Sequence, residues 1–139
     1  MKKNESIEKV LSRDVVTIHI GQNVSDARKI LTENGFHHLP VVSGKKLIGL
    51  VSASDILGIS VKGVGSDDRS MDAYLDHQFS IEEIMKKKLK TLGPKATVAD
   101  AAEILSDGDF HAAPVVDAEG ELIGLVTSTD LIRFLRSLF

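Results

Sequence analysis

Two short stretches of this chain place a hydroxyl three residues ahead of a carboxylate: Ser52-Ala53-Ser54-Asp55 and Thr127-Ser128-Thr129-Asp130. A carboxylate only accepts hydrogen bonds, so one Asp can take both protons of a vicinal diol, while a Ser or Thr hydroxyl can donate to an anionic oxygen. At the first turn of a helix such a pair stands beside unpaired backbone amides and the positive end of the helix dipole, a setting that favours an anion. The same spacing is that of a capping box, in which the two side chains serve only to start the helix. Both roles fit these residues, and neither excludes the other.

Other reactive groupings are sparse. The chain has no cysteine, which removes disulfides, thiolate metal sites and thiol nucleophiles together. Of its five histidines, His37, His38 and His111 alone fall near one another in the repeat described below. Adjacent residues at a helix end point apart and no His-Glu-x-x-His pattern occurs, so no metal site is expected. No catalytic triad, phosphate-binding Walker loop or dinucleotide glycine fingerprint is present, and Gly63-x-Gly65 reads as a turn. The run Lys86-Lys87-Lys88-x-Lys90 reads as a solvated basic face, with proximity to a phosphate tail as its other reading. No catalytic residue is assigned, and the chain is not expected to be an enzyme or to need an obligatory cofactor.

The charge balance agrees. Seventeen basic and twenty acidic side chains give a formal charge of -3, so no global field attracts nucleic acid. A length of 139 residues with 42% hydrophobic composition suits one core of ordinary size. Met1-Lys2-Lys3-Asn4-Glu5 leads into Glu8 and Lys9 without an apolar region, and no window approaches the ~18 apolar residues of a membrane span. Neither a signal peptide nor membrane insertion is expected, and the lack of cysteine fits a cytoplasmic protein.

The elements that must position the two Ser/Thr-Asp pairs occur twice. An offset of 74 residues places Ser6-Ile7-Glu8 on Ser80-Ile81-Glu82, Asp26-Ala27 on Asp100-Ala101, Phe36-His37 on Phe110-His111 and Pro40-Val41-Val42 on Pro114-Val115-Val116. One extra residue in the turn Asp117-Ala118-Glu119-Gly120 raises the offset to 75, and Leu47-Ile48-Gly49-Leu50-Val51 then meets Leu122-Ile123-Gly124-Leu125-Val126. Each copy opens with a helical turn (Ile7 to Leu11; Ile81 to Met85) and an extended stretch (Val15 to Ile18; Leu89 to Leu92). A helix follows, started by Asn23-x-x-Asp26 or Thr97-x-x-Asp100 and carrying an apolar stripe of Val24, Ala27, Ile30 and Leu31 or Val98, Ala101, Ile104 and Leu105. Gly35 ends the first of these helices, and Gly108 falls near the end of the second. Two β-branched runs, Leu39 to Val42 and Lys46 to Val51, form a hairpin about Ser43-Gly44-Lys45, and a last helix opens near Ser54-Asp55 and Thr129-Asp130. Each copy is thus β-α-β-β-α. The expected division is a first repeat over 1–60, a polar linker over 61–79 with a helical turn near Met71 to Leu75, and a second repeat over 80–139.

Pro40-Val41-Val42 leading to Gly49-Leu50-Val51-Ser52-Ala53-Ser54-Asp55, and Pro114-Val115-Val116 leading to Gly124-Leu125-Val126-Thr127-Ser128-Thr129-Asp130, resemble the signature of the cystathionine β-synthase (CBS) domain. The resemblance covers nearly the whole chain outside the linker. It implies an α/β (α+β) fold in which two repeats pack sheet to sheet about a pseudo-twofold axis as a Bateman module, with adenosyl ligands in the clefts between repeats. Ser52 with Asp55, and Thr127 with Asp130, match the family's nucleotide signature, in which the Asp holds the ribose hydroxyls. By the same resemblance, Thr17-Ile18 and Thr91-Leu92 at the first strands should line the base pockets. So should His38-Leu39 with Pro40 and Ala112-Ala113 with Pro114. Arg133, one turn beyond Asp130, could meet phosphates, whereas the matching residue in the first copy is Gly58, which makes the Thr127/Asp130 cleft the more complete phosphate site. Ordinary strand roles for Thr17 and Thr91, and a solvated helix position for Arg133, stand beside these assignments.

The function this implies is regulatory: an adenine nucleotide (AMP, ADP or ATP) binds and the signal passes to an effector protein in trans. S-adenosylmethionine and NAD are also ligands of the family. The alternative is a ligand-free module that dimerises or docks on a partner, and the apolar helix around Leu131, Ile132, Phe134, Leu135 and Leu138 predicts a homodimer.

Overall fold

The computed structural model describes residues 4–61, 65 and 67–139. The expectations placed on Met1 to Lys3, Gly63 and Ser66 lie outside the described residues. In chain order the elements are a 3₁₀ turn (Ile7–Lys9), β1 (Ile18–His19), α1 (Val24–Asn34), β2 (His38–Ser43), β3 (Lys46–Ser52), α2 (Ala53–Ile59), α3 (Asp68–Gln78), α4 (Ile81–Ile84), α5 (Val98–Ser106), β4 (Ala112–Val116), β5 (Leu122–Thr127) and α6 (Ser128–Ser137). The architecture is mixed α+β, with one sheet ordered β1-β2-β3 and one ordered β4-β5.

Local chemistry sets most boundaries. The Asp26 carboxylate accepts from the Asn23 amide at 2.9 Å at the start of α1, and Thr97 and Asp100 exchange bonds of 2.9 and 3.1 Å at the start of α5. Gly35 ends α1 in the left-handed region at φ 64°, where a side chain would be strained. Gly44, at φ 62°, turns the β2–β3 hairpin, and in the longer β4–β5 turn Asp117 Oδ1 accepts from the amides of Glu119 and Glu121.

The chain forms two compact units, and their boundaries differ from the repeats. Among the described residues, one unit contains 4–15, 45–47 and 89–139, and the other contains those within 16–44 and 48–88. The opening turn of each copy is therefore built into the unit formed by the other copy. Ile7 is fully buried with Val98, Ala101, Leu105, Val115 and Val126, while Ile81, its counterpart in the repeat, is buried with Ile18, Val24, Leu39, Val51 and Ile56. Backbone bonds fix both placements. The Ile7 amide donates to Ala96 O (3.0 Å), the Ser12 and Leu125 amides donate to each other's carbonyls (3.0 and 2.9 Å), and Lys86 and Leu50 exchange a similar pair (2.9 and 3.1 Å).

Two glycines make these crossings possible. A Cβ on Gly49 would collide with the Met85 side chain, and one on Gly124 would collide with the Ser12 carbonyl oxygen and the Leu11 side chain. Both residues belong to the repeated Gly-Leu-Val motif, so that glycine has a packing role: it lets the opening segment lie on the strand.

The stretch between the repeats differs from the expected linker. Residues Asp68–Gln78 form an eleven-residue helix, begun by Asp67, whose carboxylate accepts from the Ser70 amide at 2.7 Å. That bond holds the Asp67 carboxyl below the usual carboxylate range. Met71 and Leu75, one turn apart, are buried in the core against α1. Polar bonds flank them: Arg28 reaches Asp68 and Asp72, both at 3.0 Å, and Asp76 accepts from the Ser25 amide and hydroxyl at 2.8 and 2.6 Å. The hydrogen bond to Asp68, foremost, and the charge of both acids raise the Arg28 pKa. Asp68 is 91% exposed, so its pair with Arg28 contributes at the low end of the ~0–1 kcal/mol of surface pairs. Burial of a Leu or Met side chain contributes about 1.5–3 kcal/mol, so apolar packing rather than charge holds α3 in place.

Accordingly, Leu75→Ala should cost about 2–5 kcal/mol in urea unfolding, whereas Arg28→Ala should cost about 1 kcal/mol or less. Comparable losses would mean that the ion pairs carry the helix. Similarly, Gly124→Ala should destabilise by about 1–3 kcal/mol and more than Gly49→Ala. The former meets a backbone carbonyl and the latter the flexible end of a methionine, and a calorimetric melt of each variant reads the difference.

Candidate functional site

In each unit the hairpin's second strand runs directly into a helix. Ser52 ends β3 and caps α2; Thr127 ends β5 and caps α6. The bonds are reciprocal. Asp55 N–H donates to Ser52 Oγ at 3.0 Å and Ser52 N–H to Asp55 Oδ2 at 3.2 Å, while Asp130 N–H donates to Thr127 Oγ1 at 3.2 Å and Thr127 N–H to Asp130 Oδ2 at 2.8 Å. The capping role of both pairs is therefore real. Only one carboxylate oxygen of each Asp is used: among the described residues, Oδ1 of Asp55 and of Asp130 accepts no hydrogen bond, and both side chains are half-buried.

A second backbone bond ties each helix start to the beginning of the hairpin. The Ala53 amide donates to His37 O at 2.9 Å, and the Ser128 amide donates to His111 O at 3.0 Å. The residue after each of these carbonyls opens a strand, His38 in β2 and Ala112 in β4, and Ala112 is the direct cross-strand partner of Thr127.

The remaining expected residues join the same sheet edge. β1 runs parallel to β2 with Ile18 opposite Val41, which sets Thr17 level with Pro40. In the other unit Leu92 bridges Val115 in parallel, its amide donating to Pro114 O and its carbonyl accepting from Val116 N–H, both at 2.9 Å, which sets Thr91 level with Pro114. In the first unit the starts of β1 and β2 and the end of β3 thus share one edge; in the second the extended stretch expected over Leu89 to Leu92 forms a single parallel bridge at Leu92 rather than a strand, and it shares an edge with the start of β4 and the end of β5. Ile18, Leu39, Pro40, Leu92, Ala112, Ala113 and Pro114 are buried, Thr17 and His38 are half-buried, and Thr91 is exposed. The buried apolar members can present only backbone groups at this edge, and the hydroxyls and carboxylates supply its side-chain chemistry.

Arg133 follows Asp130 by one helical turn, is exposed, and makes no ion pair with any described residue. Gly58 occupies the matching place on α2 and has nothing within 4 Å of a Cβ position. Lys90, seen in the sequence only as part of a basic run, places its ammonium 5.6 Å from the centre of the Phe110 ring, next to His111. A signal for it was present in the repeat, because the 74-residue offset sets Lys90 against the apolar Val16. Among the described residues, no group of three or more His, Cys, Asp or Glu is placed to hold a metal ion, and no helix is long and apolar enough to cross a membrane.

The chain is 33% identical over 126 residues to inosine-5′-monophosphate dehydrogenase of Korarchaeum cryptofilum, covering 89% of this chain and 23% of that enzyme. It spans roughly a quarter to a half of the length of the curated relatives it matches. The CBS domain pair of protein MJ0100, solved in complex with 5′-methylthioadenosine and S-adenosyl-L-methionine, superposes with a TM-score of 0.76 at 27% identity, over 94% of this chain and 98% of that one. CBSX2 solved in complex with AMP shares the fold at a TM-score of 0.79 and 23% identity, over 96% and 98% of the two chains. The CBS-domain family model matches residues 7–62 and 81–137, the two copies found in the sequence, and the chain belongs to the CBS-domain family as a tandem pair.

Proposed function

We propose that this chain is a regulatory module that binds an adenosyl ligand at the strand–helix edge of its CBS repeats, and that AMP, ADP or ATP is that ligand. One observation carries the reading: at both edges the capping Asp keeps Oδ1 open while its Oδ2 secures the helix. A carboxylate held in this way is oriented before any ligand arrives and can accept from a ribose diol without losing the cap. The adenosyl group is common to AMP, 5′-methylthioadenosine and S-adenosylmethionine, the ligands bound by the CBS pairs of CBSX2 and MJ0100. Thr17, His38 and Leu39, with Thr91, Ala112 and Ala113, would contact the base, and Ser52 or Thr127 the ligand's first polar group. The module binds without turnover and needs neither metal nor obligatory cofactor. It acts in the cytoplasm and passes its state to a partner protein.

A second reading, self-association or docking without a ligand, is favoured by α6. Ile132 is 65% exposed, Leu135 48%, Leu138 47% and Phe139 99%, an apolar face that suits a homodimer. The two readings are compatible, since a ligand can act by shifting an association equilibrium.

Calorimetric titration with AMP, ADP, ATP, S-adenosylmethionine and NAD, on the native chain and on Asp55→Ala and Asp130→Ala, tests the primary reading. Binding of an adenosyl ligand at micromolar concentration, lost or weakened at least tenfold in one of the variants, is the expected result. Folded protein that gives no heat with any of the five would leave the capping role alone and favour the docking reading.

A further inference from the structure

We infer that Lys90, seated on the ring of Phe110, is a specificity-determining residue that directs phosphate-bearing adenosyl ligands to the second repeat. The inference rests on the adenosyl reading above and adds the ligand class of one of its two sites.

Lys90 immediately precedes Thr91, which lies level with Pro114 at the strand edge, and Phe110 immediately precedes His111, whose carbonyl accepts from the first amide of α6. The ammonium stands 5.6 Å from the ring centre, within cation–π range. Such a contact orients the long side chain and leaves its N–H donors unused, because the ring face attracts the charge without accepting three directed hydrogen bonds. Asp109, beside Phe110 in sequence, takes no ion pair from Lys90, nor does any other described acid. Arg133, one helical turn beyond Asp130, is likewise exposed and without an acidic partner among the described residues. Lys90 thus precedes the residue level with Pro114 and Arg133 follows Asp130 by one helical turn, and no described acid neutralises either.

The first edge is different at both positions. Val16 stands where the second repeat has Lys90, Gly58 stands where it has Arg133, and among the described residues no cation lies over Phe36. Val16 and Phe36 are 40% and 39% exposed, so this edge is bordered by an apolar pair. An adenosyl ligand without phosphate loses nothing there, whereas a phosphate meets no side-chain cation from either position. The two edges share their Asp and hydroxyl, hence their ribose chemistry, and differ in what they offer to the 5′ substituent.

The test uses the full chain and three ligands with one adenosyl group: AMP, adenosine and 5′-methylthioadenosine. Lys90→Met keeps an apolar stem over Phe110 and removes the charge, and Lys90→Arg keeps the charge. Asp55→Ala and Asp130→Ala assign each heat to an edge. We expect AMP binding to be lost in Asp130→Ala, weakened about tenfold in Lys90→Met and retained in Lys90→Arg. Adenosine and 5′-methylthioadenosine should bind Lys90→Met as they bind the native chain, and AMP affinity should fall with added salt more steeply in the native chain than in Lys90→Met. Equal weakening of all three ligands in Lys90→Met, unchanged AMP affinity, or loss of AMP binding in Asp55→Ala rather than Asp130→Ala would overturn the inference and leave the adenosyl reading in place. No binding of any of the three would overturn both.

Discussion

Each unit depends on one corner, where a hairpin strand becomes a helix without an intervening loop. The first amides of a helix have no partner within it, and at this corner they lie against the half-buried edge of a sheet, where leaving them unsatisfied costs about 1–3 kcal/mol each. The chain meets that constraint with three bonds in each copy: the hydroxyl of Ser52 or Thr127 to the third amide, the carboxylate of Asp55 or Asp130 back to the capping amide, and the carbonyl of His37 or His111 to the first amide. The last bond has the widest consequence, because it draws the beginning of the hairpin to its end. With β1 alongside in the first copy and the Leu92 bridge in the second, one edge then gathers a hydroxyl, a carboxylate and the backbone of a parallel segment. In the function proposed above, a ligand site and a helix cap would be the same atoms in two uses, separated by the second oxygen of the carboxylate.

The exchanged opening segments supply the support behind that corner. A 60-residue repeat buries too little surface to be secure alone, and each copy contributes an isoleucine, Ile7 or Ile81, to the core built by the other. Their paths run across β3 and β5 at Gly49 and Gly124, only a few residues before the capping positions. A substitution in the motif's glycine thus disturbs the strand that carries the capping residues without touching those residues themselves.

Much of this was legible in the sequence because it is local. The capping boxes, the hairpin turns and the apolar stripes at helical spacing depend on residues within a few positions of one another, and the internal repeat showed each pattern twice. Two features escaped for physical reasons. Helix α3 has a polar surface, and its two buried residues, Met71 and Leu75, stand out only once α1 is beside them, so the stretch read as a linker with one turn. The exchange of opening segments leaves no local mark, since Ile7 and Ile81 look alike and nothing in either says which core receives it. The Lys90–Phe110 contact lies between these cases: the residues are twenty positions apart, and only the repeat alignment against Val16 singles out the lysine.

The central claim is that Asp55 and Asp130 do more than begin helices, and the fold contains its own control. Asp26 and Asp100 make the same backbone bond at the starts of α1 and α5. The most direct measurement is the thermal unfolding of the native chain, of Asp26→Ala/Asp100→Ala and of Asp55→Ala/Asp130→Ala, each without ligand and with AMP or S-adenosylmethionine in excess. Removing the capping-box carboxylate loses one hydrogen bond to the cap amide, about 0.5–1.5 kcal/mol at each of these positions, so both double variants should melt lower than the native chain. Ligand at 100 times its dissociation constant adds about 2.7 kcal/mol wherever it still binds. This gain should survive in Asp26→Ala/Asp100→Ala and disappear in Asp55→Ala/Asp130→Ala; an equal gain in both variants would mean that Asp55 and Asp130 only start their helices.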